Sequence, residues 1–367
     1  MRTTPVRAAV RAAVLVEPGR IEVREFPVPS PADDTATIAV ELCGACGTDR
    51  KYLSGSLPAP LPIILGHEIV GRVEAIGSAA AARHGVRPGD RVLVEGSIPC
   101  WACEACRSGA YRLCPTKGGY GTRTSTDVPP GLWGGMSELL HLAPGSIVHR
   151  LPDSVDPRTA VGIPLIANGL MWLVRHGGLR PGGRVLIQGC GPQGLAAAMV
   201  AAATGATEVT VTGLPSDVAR LDVAARVGAR AVVVDPAWGP ADALAEIGRD
   251  FDVVLDVSGS PAAIGGAPNH VRAQGTFVLA GLVGRGTTVS FATDDIAYRE
   301  VRIQGVLTKD EAAIRSAMAM VELDAALAAE VGRLITHEYP LERAAEAIEA
   351  LAGGLDGFVK AAVRPAG

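Results

Sequence analysis

Long apolar runs, aromatic rings, cysteine and net charge are all scarce in this 367-residue chain, and each shortage excludes something. The longest apolar run, residues 195–203, is about half of the ~18–20 residues that span a bilayer, so no transmembrane helix is predicted. Formal charge is only −4, from 34 basic and 38 acidic residues, which leaves no electrostatic footprint for nucleic acid. Aromatic residues make up 4% of the chain, too few to suggest a base-stacking surface. Seven cysteines are too sparse for a disulfide scaffold. Arg2, Arg7 and Arg11 invite a targeting reading, but the apolar stretch 12–16 ends at Glu17-Pro18-Gly19, too short for a signal core. The expectation is a short disordered tail leading into a first strand, in a cytoplasmic protein.

What is present is 48% hydrophobic residue content and 45 glycines. At roughly 100–200 residues per domain, the length suggests two domains. The first 160 residues read as short strands, including 12–16, 37–42, 69–76 and 91–94, between turns bearing proline and glycine. Residues 97–133 are irregular and long for an unsupported loop. Past Pro164 the texture changes. A helix at 168–176 is followed by strands 184–189, 208–213, 231–235, 251–258, 276–281 and 301–306, with helices 192–204, 216–227 and 240–249 between the earlier ones. This alternation predicts an α/β doubly wound parallel sheet, with strands buried on both faces. Beyond it come helix 310–328, strand 332–337, helix 341–352 and strand 358–363.

Six of the seven cysteines lie between Cys43 and Cys114. The sharpest pattern is Cys100-Trp-Ala-Cys103-Glu-Ala-Cys106, then Cys114. Two-residue gaps let a tight turn present successive sulfurs to one tetrahedral zinc, and four thiolates leave no open position. Such a structural zinc would supply the folding free energy that 97–133 cannot draw from a core. An iron–sulfur cluster and unrelated cysteines are the competing readings. A looser group is Cys43-Gly-Ala-Cys46-Gly-Thr48-Asp49, then Gly66-His67-Glu68-Ile-Val-Gly71. A thiolate, an imidazole and a carboxylate can make an open catalytic metal site. By spacing alone, though, His67 is more often a loop histidine.

Gly189-Cys190-Gly191-Pro192-Gln193-Gly194 is a G-x-G-x-x-G sequence between a predicted strand and a predicted helix. In that context it predicts a dinucleotide site: a tight turn, a close backbone approach to pyrophosphate, and helix packed on strand. Pro192 suits the first helical position. The next strand ends at Gly213, where an NAD-preferring fold usually has Asp or Glu. No arginine follows at once for a 2′-phosphate, though Arg220 lies further along, and Asp217 reads as a substitute acid or an N-cap. NAD and NADP both stay open, NAD slightly ahead.

Together these segments resemble the zinc-dependent medium-chain dehydrogenase/reductase superfamily, nearest its sorbitol-, threonine- and glucose-dehydrogenase-like branch. Pro88-Gly89-Asp90-Arg91-Val92, Gly134-Gly135-Met136-Ser137-Glu138 and Leu334-Ile335-Thr336-His337 continue the match along nearly the whole chain. The resemblance implies a mainly-β GroES-like catalytic domain over 1–161, with a structural zinc lobe at 97–120. It implies a Rossmann dinucleotide domain over 162–306 and a return to the catalytic domain over 307–367. Cys46, His67 and Glu68 correspond to catalytic zinc ligands, and Cys100, Cys103, Cys106 and Cys114 to the structural set. Thr48 resembles the hydroxyl that takes the substrate proton, and Asp49 the acceptor that orients His67. Ser258 and Gly281 are placed near the nicotinamide.

Two departures stand out. Ile163-Pro164-Leu165 occupies the place where many relatives have Glu-Pro-Leu or a cysteine, which moves the third-ligand role to Glu68, with Asn168 a remote alternative. Lys51 stands where many relatives have a relay histidine, and could bind the cofactor or carry the proton. The expected reaction is hydride exchange between NAD or NADP and a secondary, polyol or cyclic alcohol, in a homodimer or homotetramer using two zincs per chain. A zinc-free reductase acting on an activated double bond is the first alternative. A non-catalytic zinc module is the second, although its lobe offers only Arg107, Arg112, Lys117 and Arg123 as positive charge. Substrate specificity is expected from residues such as Leu57, Trp133, Ile166 and Met171.

Overall fold

The computed structural model describes residues 8–284, 286–353 and 355–366, so Arg2 and Arg7 lie outside the described residues. The chain divides into two compact units. One takes the chain up to Gly162 and again from Val331; the other is Ile163–Glu330.

The first unit is organised by strands of alternating burial. In Ala36–Gly44, Ile38, Val40 and Leu42 are buried while Ala39 and Glu41 stay partly exposed, as a pleated strand with one core face requires. It belongs to a seven-stranded sheet. The order is Val148–Leu151, Arg91–Val94, Glu68–Ile76, Ala36–Gly44, Lys360–Arg364, Ile335–Pro340, with Leu139–Leu142 also paired to Ala36–Gly44. Register sets Gly44 opposite both Glu68 and Ala362. Three strands therefore bring Gly44, Glu68 and Lys360 toward one place. A second sheet pairs Ala9–Glu17 with Arg20–Pro27 and Ile63–Ile64. The strand Arg20–Pro27 goes beyond the sequence expectation because half of its residues are charged and most are exposed. It forms by hairpin pairing along nearly the whole of Ala9–Glu17 across the turn at Pro18-Gly19.

The second unit is a six-stranded parallel sheet. Its order is Arg230–Val233, Glu208–Gly213, Arg184–Gln188, Phe251–Asp256, Val271–Leu279, Arg302–Gly305. The strand order reverses beside Arg184–Gln188, and Gln188 lies opposite both Thr212 and Asp256. Three carboxyl ends thus finish in line, where open α/β sheets bind ligands. The glycine loop leaves from the middle one.

Several boundaries move. The helix expected at 168–176 is the end of a longer segment: Pro157–Gly169 runs through Pro164 and continues as π-helical turns over Leu170–His176. A helix-interior proline costs ~3 kcal/mol, but full burial of Ile163 and Ile166 beside it favours continuation. The return expected at 307 comes at Val331. Asn168 Oδ1 accepts from Lys309 N (2.8 Å) and Thr308 Oγ1 (3.2 Å), and Arg175 pairs with Asp310, so this stretch stays bound to the second unit. Helix 310–328 is two helices, Glu311–Leu323 and Ala325–Arg333. Asp324 divides them, its carboxylate capping Leu327 N at 2.9 Å. Among the described residues no helix is long and apolar enough to cross a membrane.

Candidate active site and metal centres

Cys46 leaves the strand Ala36–Gly44 one residue before the short helix Gly47–Leu53. Asp49 on that helix is fully buried and reaches two ways. One carboxylate oxygen accepts Cys46 N at 2.8 Å; the other accepts Gly66 N at 3.2 Å and lies 3.6 Å from His67 Nδ1. One side chain therefore ties the Cys46 turn to the His67 turn. Gly66 has φ +90°, and a Cβ there would lie 2.5 Å from Cys43 Sγ. Cys43 is thus a buried space-filler behind the site. Burial, then the charges of Asp49 and Glu68, push its thiol well above the ordinary value.

Cys46, His67 and Glu68 offer donor atoms that all lie within 4.8 Å of one another. Burial resists charge on both Cys46 and His67. Their mutual hydrogen bond and attraction, with Asp49 acting on the ring, still hold the thiol below and the imidazole well above their ordinary values. A buried pair that already favours a thiolate is the donor chemistry a zinc ion takes up on displacing a proton. The residues fit the metal.

Lys360 is the residue that sequence reasoning missed. It is buried to 2% exposure, lies 2.6 Å from Glu68 Oε2 and donates to Ala45 O at 2.9 Å. Burial opposes its charge, but Glu68 and then Cys46 outweigh this and hold the ammonium above its ordinary range. The signal was available: a lysine inside the apolar strand sequence Phe358-Val-Lys-Ala-Ala-Val363, where a lysine is almost never buried without a partner. Thr48, in the helix that Cys46 caps, is half-buried, and Lys51 is exposed on the same helix. Asn168 is committed elsewhere. Its Nδ2 donates to Gln193 and its Oδ1 accepts from Thr308 and Lys309, so it is set aside as a metal ligand. Ile163 is fully buried and has no donor atom. Trp133 is buried in the first unit, stacks on Tyr120 and donates to Val128 O at 2.7 Å.

The four-cysteine lobe is built differently. It contains one helical turn, Glu104–Arg107, and a 3-10 turn, Tyr111–Leu113, beside a two-residue strand pair at Ser97–Ile98 and Gly118–Gly119. Its apolar cluster is only Cys106, Tyr111, Cys114 and Ile147, with Cys103 against it. Cys100, Cys103, Cys106 and Cys114 have all four sulfurs within 4.8 Å, and Cys100 and Cys106 are 3.9 Å apart. Sulfurs ~2.3 Å from one tetrahedral ion stand ~3.8 Å apart, so this set also fits zinc. Trp101 has φ +56°, a costly conformation for a bulky residue. It is held by its indole N–H on Gly145 O at 2.8 Å, and the turn it makes lets Cys100 and Cys103 face the same point. Backbone N–H groups of Ala102 and Cys103 bring Cys100 down to about 5. Burial, then Cys103 and Cys114, push Cys106 up to about 12. Such a set ionises together only around a cation. Tyr111 anchors the lobe to the sheet through Glu95, 2.9 Å away, and Glu95 also pairs with buried His149 at 2.8 Å.

In the second unit, Gly189 turns the chain with φ +110°. Gly191 caps the helix Pro192–Ala203, with Pro192 in its first turn. A Cβ on Gly194 would lie 1.9 Å from Gly189 O, so only glycine permits this helix-to-turn contact. Gln193 holds Asn168. Ser258 donates to buried Asp256 at 2.6 Å, and Gly281 N donates to Asp256 O at 2.8 Å. Gly189, Ser258 and Gly281 therefore gather at one carboxyl end, while Gly213 ends the neighbouring strand. Open space at Gly191, where a Cβ would meet nothing within 4 Å, together with a twelve-residue helix N-terminus, suits a pyrophosphate. A dinucleotide fits these residues.

Comparison with known proteins agrees with this geometry. Residues 32–153 match the alcohol dehydrogenase GroES-like domain family and residues 192–323 the zinc-binding dehydrogenase family. A Mycobacterium tuberculosis protein named as a probable alcohol dehydrogenase is 41% identical over 85% of this chain and 86% of its own length. Sorbitol dehydrogenase of Homo sapiens is 31% identical, covering 92% and 91%. Among solved structures, alcohol dehydrogenase of Thermotoga maritima covers 98% of this chain and 100% of its own at 25% identity, with TM-score 0.86. A Sinorhizobium meliloti protein solved with NADP covers 98% and 100% at 28% identity, with TM-score 0.84. Dehydrogenase relatives along most of the chain overturn the non-catalytic zinc module. With two zinc-fitting donor sets on a GroES-like unit and a six-stranded parallel sheet, the chain belongs to the zinc-binding medium-chain alcohol dehydrogenase family and is a zinc-dependent alcohol or polyol dehydrogenase.

Proposed function

We propose that this enzyme interconverts a secondary alcohol, open-chain polyol or cyclic, and its ketone by hydride exchange with NAD or NADP. The observation that carries the reading is the convergence of Cys46, His67 and Glu68, with Thr48 in the first turn of the helix that Cys46 caps. Cys46, His67 and Glu68 are the ligands of one zinc, and Cys100, Cys103, Cys106 and Cys114 of the other. Zinc at the open set supplies Lewis acidity toward the substrate hydroxyl. Thr48 receives the hydroxyl proton and passes it outward through the cofactor ribose, with Lys51, exposed on the same helix, as a further carrier. Asp49 fixes the ring of His67 and the Cys46 turn together. Gly189, Gly191, Pro192, Gln193 and Gly194 hold the pyrophosphate, Gly213 borders the adenosine ribose, and Ser258 and Gly281 border the nicotinamide. We further infer a cytoplasmic homodimer or homotetramer, joined through an edge of the parallel sheet.

The convergence of three donors opposes the zinc-free reductase. Metal analysis and an activity screen test the reading together. The expected result is two zincs per chain and oxidation of a sugar alcohol, cyclic alcohol or amino alcohol with NAD or NADP. Cys46→Ser keeps one zinc and loses the activity. Undiminished alcohol oxidation by Cys46→Ser would overturn the mechanism.

A further inference from the structure

Gly213 ends the second strand of the parallel sheet, at the position where an acidic side chain ordinarily binds the ribose hydroxyls of NAD. The structure gives a steric reason for its absence here. A Cβ at Gly213 would lie 2.5 Å from Cys190 Sγ, 3.2 Å from Asp217 Cβ and 3.3 Å from Leu221 Cδ2. The thiol of the glycine-loop cysteine occupies that space. Burial, then the charge of Asp217, push the Cys190 thiol up to about 12, so it fills volume as a neutral group.

The missing acid has a neighbour with the same chemistry. Asp217 follows the strand in the 3-10 turn Pro215–Asp217. One of its oxygens accepts Leu214 N–H at 3.1 Å, and the other accepts from Arg220 at 3.0 Å. Asp217 and Arg220 side chains are 20% and 22% exposed, so the pair is only partly screened by water. Leu214 N–H and the Arg220 guanidinium are also the donors after the strand end that would suit a 2′-phosphate. One carboxylate engages both.

We propose that Asp217 selects NAD over NADP in this enzyme, acting as a built-in anion on the donors that a 2′-phosphate would need. A 2′-hydroxyl can donate to the remaining lone pairs of the carboxylate. A 2′-phosphate meets like charge and finds its two donors in use. A relative at 28% identity was solved with NADP, so the fold itself admits the phosphorylated form and the choice falls to residues of this kind. The inference rests on the dinucleotide reading given above.

Equilibrium titration of the zinc-loaded, full-length enzyme with NADH and with NADPH, followed by nucleotide fluorescence, tests the proposal without turnover. The wild type is expected to bind NADH at least about tenfold more tightly, which is about 1.4 kcal/mol. Asp217→Ala removes the like charge and its hold on both donors and should shift the ratio toward NADPH by about tenfold or more. Adding Arg220→Ala to that variant should remove most of the gain. Asp217→Asn keeps the cap on Leu214 and should shift the ratio in the same direction, which guards against a folding defect in the alanine variant. Wild-type affinity for NADPH equal to or above that for NADH overturns the inference, as does an unchanged ratio in both Asp217 variants. Failure of the wild type to bind either nucleotide is a different result: it overturns the dinucleotide reading, and this inference with it.

Discussion

The two metal centres of the GroES-like unit use similar donors but are assembled in opposite ways. The four-cysteine lobe draws every donor from Cys100–Cys114, has almost no apolar core, and spends a left-handed Trp101 to aim two sulfurs at one point. The open site takes Cys46 from one turn and His67 and Glu68 from another, with Lys360 arriving from a strand near the C-terminus. A local cluster lacks a scaffold and needs its ion to stay folded. A cluster assembled by a sheet has its scaffold already, and can leave room for a substrate.

That contrast can be broken experimentally, and the largest effect should come from its two cysteine variants taken together. Cys46→Ser should reduce activity to background while barely moving the thermal unfolding midpoint. Cys106→Ser should release the lobe zinc and open its backbone to trypsin at Arg107, Arg112, Lys117 or Arg123, with a clear fall in the unfolding midpoint. Equal stability losses in the two variants would erase the distinction.

Next in size is Lys360→Met. Removing one partner of a buried ion pair costs ~3–5 kcal/mol because the other charge stays behind. Denaturant unfolding should show a loss of that order in chelator-stripped protein. With zinc restored, Glu68 gains a second positive partner, and the loss should shrink. A cost that is the same with and without zinc would separate Glu68 from the metal.

The smallest effect concerns the sheet that carries the open site. Glu41, in the strand leading to Cys46, pairs with Arg91 at 2.6 Å and Arg72 at 3.0 Å. Burial raises its pKa, but the two arginines outweigh this and hold it below the ordinary 4.5. A folded-state value below the unfolded one means the contribution is full above about pH 4.5 and is lost as pH falls through the folded value. Urea midpoints measured downward from pH 6 should therefore drop in acid, and Glu41→Gln should flatten that drop.

The sequence alone settled what depends on neighbours along the chain. Two-residue cysteine gaps, a glycine loop between strand and helix, and the alternation of later elements carry their meaning locally, and all of them placed the lobe, the loop and the parallel sheet. Even the missing acid at Gly213 was visible. Tertiary structure decided what depends on distance through space. It brought Lys360 to Glu68, filled the space beside Gly213 with Cys190, committed Asn168 to Gln193, Thr308 and Lys309, and kept the chain with the second unit to Glu330. For Lys360 and Cys190 the physical reason is the same. A buried charge, or a thiol in a tight space, is determined by what packs against it, and those partners lie tens to hundreds of residues away in the chain.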